Sequence, residues 1–115
     1  MANTFKQISK AGVTSADVIY TVAGSTTTVV LGLIIGNTQS SDITVTLTLS
    51  TDTGSRSGAN NEDNQPVELL TTTTIPANSS LELLAGNKIV LEATDVINLT
   101  ASAAADISIS VKEIT

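Results

Sequence analysis

The stretch Thr26–Ser50 reads TTTVVLGLIIGNTQSSDITVTLTLS. From Ile43 to Leu49 every second residue is apolar and the residues between are threonines, which is the period of a strand with one buried face. The segment Val29–Ile35 is apolar on both faces, as in a strand that is covered on both sides. The polar residues between the two halves are typical of a turn. The stretch therefore predicts a β-hairpin, with Leu47 deep in the core.

The rest of the chain repeats this design with short alternating segments separated by polar turns. The predicted strands are 17–22, 67–75, 80–84, 88–92, 96–101 and 106–114. With the two strands of the hairpin they give about eight strands and no helix, so we expect an all-β fold. The expected architecture is an antiparallel two-sheet β-sandwich, either immunoglobulin-like or jelly-roll.

The domain boundaries follow from where the alternation starts and stops. Residues 1–16 are weakly patterned and are predicted to be an N-terminal arm or an edge strand. Residues 17–115 form the β-sandwich domain, with a long polar loop at 51–66, and loops of that length are often functional. The alanine-rich segment at 101–105 is predicted to be a hairpin connection.

Three apolar residues, Val30, Ile34 and Leu70, are predicted to face away from the core. Gly32 and Gly36 belong to the same second face, where they would let another backbone approach closely. The N-terminal segment would cover this face, or another subunit would pack on it, and the sequence favours neither. The candidate contacts with a second subunit or with another protein are Phe5, Ile8, Val30, Gly32, Ile34, Gly36 and Leu70.

Composition excludes several classes of function. The 115 residues include no Cys, His or Trp, and the net charge is −6. Without Cys or His the chain lacks the commonest metal ligands and the usual general base, so we expect no enzyme activity and no cofactor or metal. The five cations are spread along the chain, whereas nucleic-acid binding needs clustered Lys and Arg. A signal peptide and a membrane-length apolar run are not visible, so we expect synthesis in the cytoplasm and no membrane partner.

Two sharper motifs have ordinary explanations. Asp52-Thr53-Gly54 matches the signature of aspartic proteases, but it runs into a polar loop rather than following a buried strand. Asp52, Glu62 and Asp63 offer oxygen ligands for a hard cation, although their spacing matches no compact calcium loop. Turn residues in a solvated acidic loop account for both patterns.

A series of segments resembles small virion structural proteins of tailed phages. The segments are MANTFK at the start, VIYTV from Val18, TTTVVLGL from Thr26, ITVTL from Ile43, IPANSSL from Ile75, KIVLEATD from Lys88 and SVKEIT at the end. The resemblance covers nearly the whole chain except residues 51–66. It implies a non-enzymatic homo-oligomer located in the virion, most simply a capsid decoration (cement) protein that binds the major capsid protein or neighbouring virion proteins. A neck or tail accessory component, and a receptor- or glycan-binding module that uses the 51–66 loop, are the alternatives.

Overall fold

A computed structural model describes residues 2–51, 65–84 and 87–115. These residues form nine β-strands and no helix. The strands are β1 (Asn3–Val13), β2 (Asp17–Thr21), β3 (Thr27–Asn37), β4 (Ile43–Thr51), β5 (Gln65–Ile75), β6 (Ser80–Glu82), β7 (Ile89–Leu91), β8 (Val96–Ala101) and β9 (Ala105–Ile114).

The strands make two antiparallel sheets that pack face to face. Sheet A has the order β1-β9-β3-β6, and β7 pairs with a different part of β3. Sheet B has the order β2-β8-β4-β5. The predicted all-β, antiparallel two-sheet sandwich is thus confirmed.

The pairing is nested. The first strand pairs with the last, β2 pairs with β8, β3 pairs with β6 and β7, and β4 pairs with β5. The chain is therefore one long hairpin, folded at β4–β5 and wrapped around the core, which is the jelly-roll arrangement. In an immunoglobulin-like fold the first two strands would pair within one sheet, whereas here β1 and β2 lie in different sheets.

Two predicted hairpins are wrong. The strands of the opening stretch exist, but β3 belongs to sheet A and β4 to sheet B, so Thr38–Asp42 crosses between the sheets. Residues 102–104 likewise carry the chain from β8 in sheet B to β9 in sheet A. Alternation along a strand specifies which side chains are buried but not which strand lies beside it.

The core lies between the two sheets and is almost entirely aliphatic. Leu47, Leu99 and Ile109 are fully buried, which confirms the predicted position of Leu47. Tyr20 is the aromatic residue of this core, and it carries its hydroxyl to one end of the sandwich.

A bulge in β3 corrects the predicted second face. The register of β3 against β9 shifts between Val30 and Gly32, so Leu31 is an extra residue in the ladder. Val30 therefore points into the core and is fully buried, while Ile34 points outward. A bulge of this kind reverses the faces on either side of it, and strict alternation cannot anticipate it.

Two further predicted contacts also lie against the core. Leu70 is half-buried and packs on the core from β5, so its predicted outward orientation is wrong. Ile8 is half-buried at the margin of the core, on the inward side of β1.

Residues 3–13 form β1, which lies at the edge of sheet A rather than over its face. The predicted loop at 51–66 falls mostly outside the described residues. Thr51 ends β4, and Gln65 and Pro66 begin β5, so these three residues belong to the β4–β5 ladder.

Candidate functional site

The most distinctive surface among the described residues is the outer face of sheet A, the side that points away from sheet B. Directly opposed residues in an antiparallel ladder project to the same side, and the register therefore places every residue of this face. Its members include Phe5, Gln7 and Ser9 on β1, Asp106, Ser108, Ser110 and Lys112 on β9, Val29, Gly32, Ile34 and Gly36 on β3, and Ser80 and Glu82 on β6.

One end of this face is marked by an aromatic ring beside a cation. The Phe5 ring is 71% exposed, and the Lys112 ammonium lies 5.8 Å from its centroid. Towards the middle, Gln7 Nε2 and Ser9 Oγ both donate to Ser108 Oγ, at 3.0 and 3.3 Å. These polar contacts link the side chains of β1 and β9 across the middle of the face.

The β3 part of the face alternates an apolar side chain with glycines. Ile34 is 44% exposed and stands between Gly32 and Gly36. A Cβ placed on Gly32 would meet nothing within 4 Å, so the space above this residue is open. Val90 on β7, which is 59% exposed and pairs with Val29, extends the apolar part of the face.

Two shallow grooves cross this face on either side of Ile34. The larger one, about 410 Å³, lies at the end away from Phe5, and its lining includes Ser9, Ala11 and Asp106. The smaller one, about 220 Å³, runs beside Gly32 towards β6. An apolar ridge flanked by two grooves is a shape to which another protein surface can be complementary.

The structure brings together part of the predicted contact set. Phe5, Gly32, Ile34 and Gly36 share the outer face of sheet A, whereas Val30, Ile8 and Leu70 lie against the core and do not reach it. Sequence reasoning missed the β9 residues of the face. The polar positions of the clean alternation from Ile107 to Val111 were the available signal, since they had to project opposite to the buried set.

A second notable region is the end of the sandwich where four connections between the sheets meet. We call it the braced end, and it comprises residues 14–16, 38–42, 76–79 and 102–104. Gln39 links two of the other connections, because its Nε2 donates to the Ala104 carbonyl at 3.2 Å and its carbonyl accepts from the Asn78 backbone N–H, also at 3.2 Å.

Asn37, fully buried at the end of β3, anchors this region. Its Nδ2 donates to the carbonyls of Ser41, Ile75 and Pro76 at 2.9, 3.0 and 3.1 Å, and its Oδ1 accepts from the Gln39 N–H at 2.8 Å. The fourth connection joins through Thr14, whose carbonyl accepts from the backbone N–H of Ala101, at the end of β8. Such cross-links make the braced end rigid, since each loop is tied to a neighbour.

The opposite end holds a polar cluster that joins the sheets and runs from the buried Tyr20 and Thr28 to the exposed Lys6. We call it the tyrosine clamp, and it consists of Tyr20, Thr28, Glu113 and Lys6. Tyr20 Oη donates to Glu113 Oε2 at 2.5 Å and lies 2.9 Å from Thr28 Oγ1. Lys6 Nζ lies 2.9 Å from Glu113 Oε1. The clamp thus connects β2 of sheet B to β3, β9 and β1 of sheet A.

The electrostatics of the clamp follow from these contacts. Burial, together with the bond to Glu113, raises the pKa of Tyr20 to about 12. The hydrogen bonds from Tyr20 and Lys6 hold the pKa of Glu113 below its ordinary value. Both groups are thus held in the charge states of a stable structural contact at neutral pH, a neutral phenol beside an ionised carboxylate.

The described part of the chain offers few groups for a catalytic or metal-binding site. Within it, no three carboxylates are placed to hold a metal ion. Asp52, Glu62 and Asp63, which carried the protease and calcium alternatives, lie outside the described residues, as does most of the loop invoked for receptor binding. Residues 2–51, 65–84 and 87–115 include no helix long and apolar enough to cross a membrane.

Comparison of the chain with protein-family models, with curated proteins and with solved structures finds no match.

Proposed function

We propose that this chain is a non-enzymatic structural protein of a phage virion, and that it decorates the capsid by binding where copies of the major capsid protein meet. The resemblance of its segments to tailed-phage virion proteins supports this role. Jelly-roll domains also build many viral capsids, although that likeness of fold is an analogy.

The observation that carries the proposal is the braced end. A decoration protein binds the same lattice site many times, and a surface that is already rigid loses little conformational entropy on binding. Here Asn37 and Gln39 tie three of the four connections together through hydrogen bonds of 2.8–3.2 Å. The exposed residues that this framework presents, Thr38, Ser40 and Ser41 among them, are small and polar.

In this role the protein acts through its contact area. Binding to the assembled shell and not to dissociated subunits stabilises the shell by mass action. The stabilisation grows with the logarithm of the ratio between the concentration of free chain and its dissociation constant. The chain needs no reactive group to do so. The symmetric lattice would supply many equivalent sites.

The test compares shells of the major capsid protein assembled with and without this chain. We expect shells without it to rupture at a lower temperature, and added purified chain to restore the higher one. Equal rupture temperatures would overturn the decoration role. In that event, a cryo-EM map that places the chain on the neck or tail would favour the accessory alternative.

A matched pair of variants tests the surface. Ser40→Arg puts a bulky charge on the braced end, and we expect it to release the chain from the shell without changing its fold. Thr100→Arg makes the same change on the exposed outer face of sheet B and should leave binding intact. If Ser40→Arg binds shells as the wild type does, the braced end is not the attachment surface.

A further inference from the structure

We propose that a second copy of this chain packs on the outer face of sheet A, about a two-fold axis that lies in the plane of the face and runs across its strands. The inference goes beyond the role in the virion and does not depend on it. Isolated chains would form the dimer with or without a capsid, so the two proposals fail separately.

The register on this face determines what such an axis would bring together. Rotation about it reverses the strand direction but leaves each strand above its own copy. If the axis passes at the level of Ile109, the level of Ser110 meets the level of Ser108, and the level of Lys112 meets the level of Asp106. The pairing of β9 with both neighbours extends these levels to β1 and β3.

Charge is the first property that this arrangement matches. Lys112 lies at one end of the face and Asp106 at the other, both on the central strand β9. The two-fold rotation places the Lys112 of each copy near the Asp106 of the other, so the dimer contains two opposite-charge pairs. An axis parallel to the strands would instead set Lys112 against Lys112, which electrostatic repulsion disfavours.

Shape is the second property that the two-fold arrangement matches. Ile34 pairs with Ser108 and Gly32 pairs with Ser110, so the rotation sets the Ile34 side chain of each copy over the Gly32 of the other. The space above Gly32 is open and would receive it.

The aromatic end of the face finds a matching groove in the same way. Phe5 lies at the level of Lys112, and the rotation carries its ring to the level of Asp106 on the second copy. The 410 Å³ groove lies there, with Ser9 and Ala11 in its lining. The most exposed large apolar side chain in the described residues would thus fill the larger groove of its partner.

The available area is sufficient for a specific but weak dimer. Four strand positions about 4.8 Å apart and a strand length of about 34 Å give roughly 650 Å² per copy. The total of roughly 1,300 Å² falls at the lower end of the range for specific interfaces. We therefore expect a dissociation constant in the micromolar range.

The experiment is sedimentation of the purified full chain over a concentration series, with charge-reversal variants. Lys112→Asp and Asp106→Lys should each weaken dimerisation by about tenfold or more, since each creates two like-charge pairs. An equimolar mixture of the two variants should recover the dimer as a heterodimer, because both contacts then join opposite charges. Weakening in each single variant together with recovery on mixing is expected only if position 112 meets position 106 across a two-fold axis. If position 112 met position 112, each single variant would hold as many like-charge pairs as the wild type and would not weaken the dimer.

A steric variant distinguishes loss of the dimer from loss of the fold. Asp106 Oδ1 accepts the Gly12 N–H at 3.0 Å, so Asp106→Lys also removes a local contact. Gly32→Glu enters open space in the monomer and should keep its circular dichroism and melting temperature, yet it should abolish the dimer. Thr100→Glu, on the other sheet, should leave the dimer unchanged.

Three outcomes would overturn the proposal. The first is a wild-type chain that stays monomeric at millimolar concentration. The second is a folded Gly32→Glu chain that dimerises like the wild type. The third is a mixture of the charge variants that stays monomeric although each variant is folded. A monomeric wild type whose shell binding is lost in Gly32→Glu would assign the face to the capsid instead.

Discussion

At the scale of single residues, the tyrosine clamp shows how a small aliphatic sandwich secures one of its ends. Tyr20 is the one tyrosine of the chain, and its hydroxyl lies between Thr28 Oγ1 and Glu113 Oε2. A buried hydroxyl without partners would be costly. With these two partners, it joins the two sheets at this end of the sandwich.

The raised pKa of Tyr20 predicts a loss of stability in alkali. The unfolded chain releases the phenolic proton near pH 10, whereas the folded chain keeps it until about pH 12. The stabilisation is present below pH 10 and is lost as the pH rises from 10 to 12, because the unfolded state then binds fewer protons. The shift corresponds to at most roughly 2–3 kcal/mol, because solvent around the exposed Lys6 and the half-buried Glu113 screens part of it.

Tyrosinate absorbance measures this directly, since the chain has one Tyr and no Trp. We expect a midpoint near pH 12 in the folded protein and near pH 10 in denaturant. In Tyr20→Phe, the stability contributed by the hydroxyl should be missing at neutral pH, and the alkaline loss should be reduced. A folded-state midpoint near pH 10 would contradict the prediction.

At the scale of elements, the sequence predicted strands well and bulges poorly. Alternation in β4 and β9 located both strands and their buried faces, because the extra residues of their ladders lie on the neighbouring strands β1, β3 and β5 and leave β4 and β9 regular. In β3, the extra residue at Leu31 turned Val30 inward, and nothing in the local pattern indicated it. The outer face of sheet A was therefore predicted only in part, with Ile34 and the glycines assigned correctly and Val30 wrongly.

The bulge in β1 gives a prediction at this scale. The β1 register shifts between Lys10 and Val13, and Gly12 within it has a φ of +69°. A side chain at this φ is strained even though the space around it is open, so Gly12→Ala should destabilise the fold by about 1 kcal/mol.

Urea denaturation measures this cost, and Gly24→Ala is the matched control. Gly24 also has open space around it, but its φ lies outside the left-handed region. We expect the control to be neutral or slightly stabilising, since it reduces the freedom of the unfolded chain. Equal stability of the two variants would show that the bulge is not strained by a side chain.

At the scale of the whole molecule, the jelly roll depends on pairings that local pattern does not reveal. The sequence predicted two sheets from the number and spacing of short strands, but not that β1 pairs with β9. That partnership depends on how the whole hairpin wraps around the core, and each strand would bury the same side chains beside a different neighbour. The cross-links of the braced end escaped prediction for the same reason, since Asn37 reads locally as a turn residue and acts as an anchor only once β5 lies beside it.

The nested topology brings the first and last described residues together, and this leads to a final prediction. Ala2 and Thr115 exchange two backbone hydrogen bonds, of 3.2 and 3.0 Å.

A short Gly-Ser linker that joins the ends into a circular chain should therefore fit without disturbing the ladder. It would remove entropy from the unfolded state and stabilise the fold by about 2–4 kcal/mol. It should also speed folding, because the most distant pairing in the sequence, β1 with β9, becomes a local hairpin. The comparison is with the linear chain that carries the same linker at one end, by denaturation and stopped-flow refolding. A circular chain that keeps the native circular dichroism but gains neither stability nor folding rate would show that closing the β1–β9 pair does not limit folding.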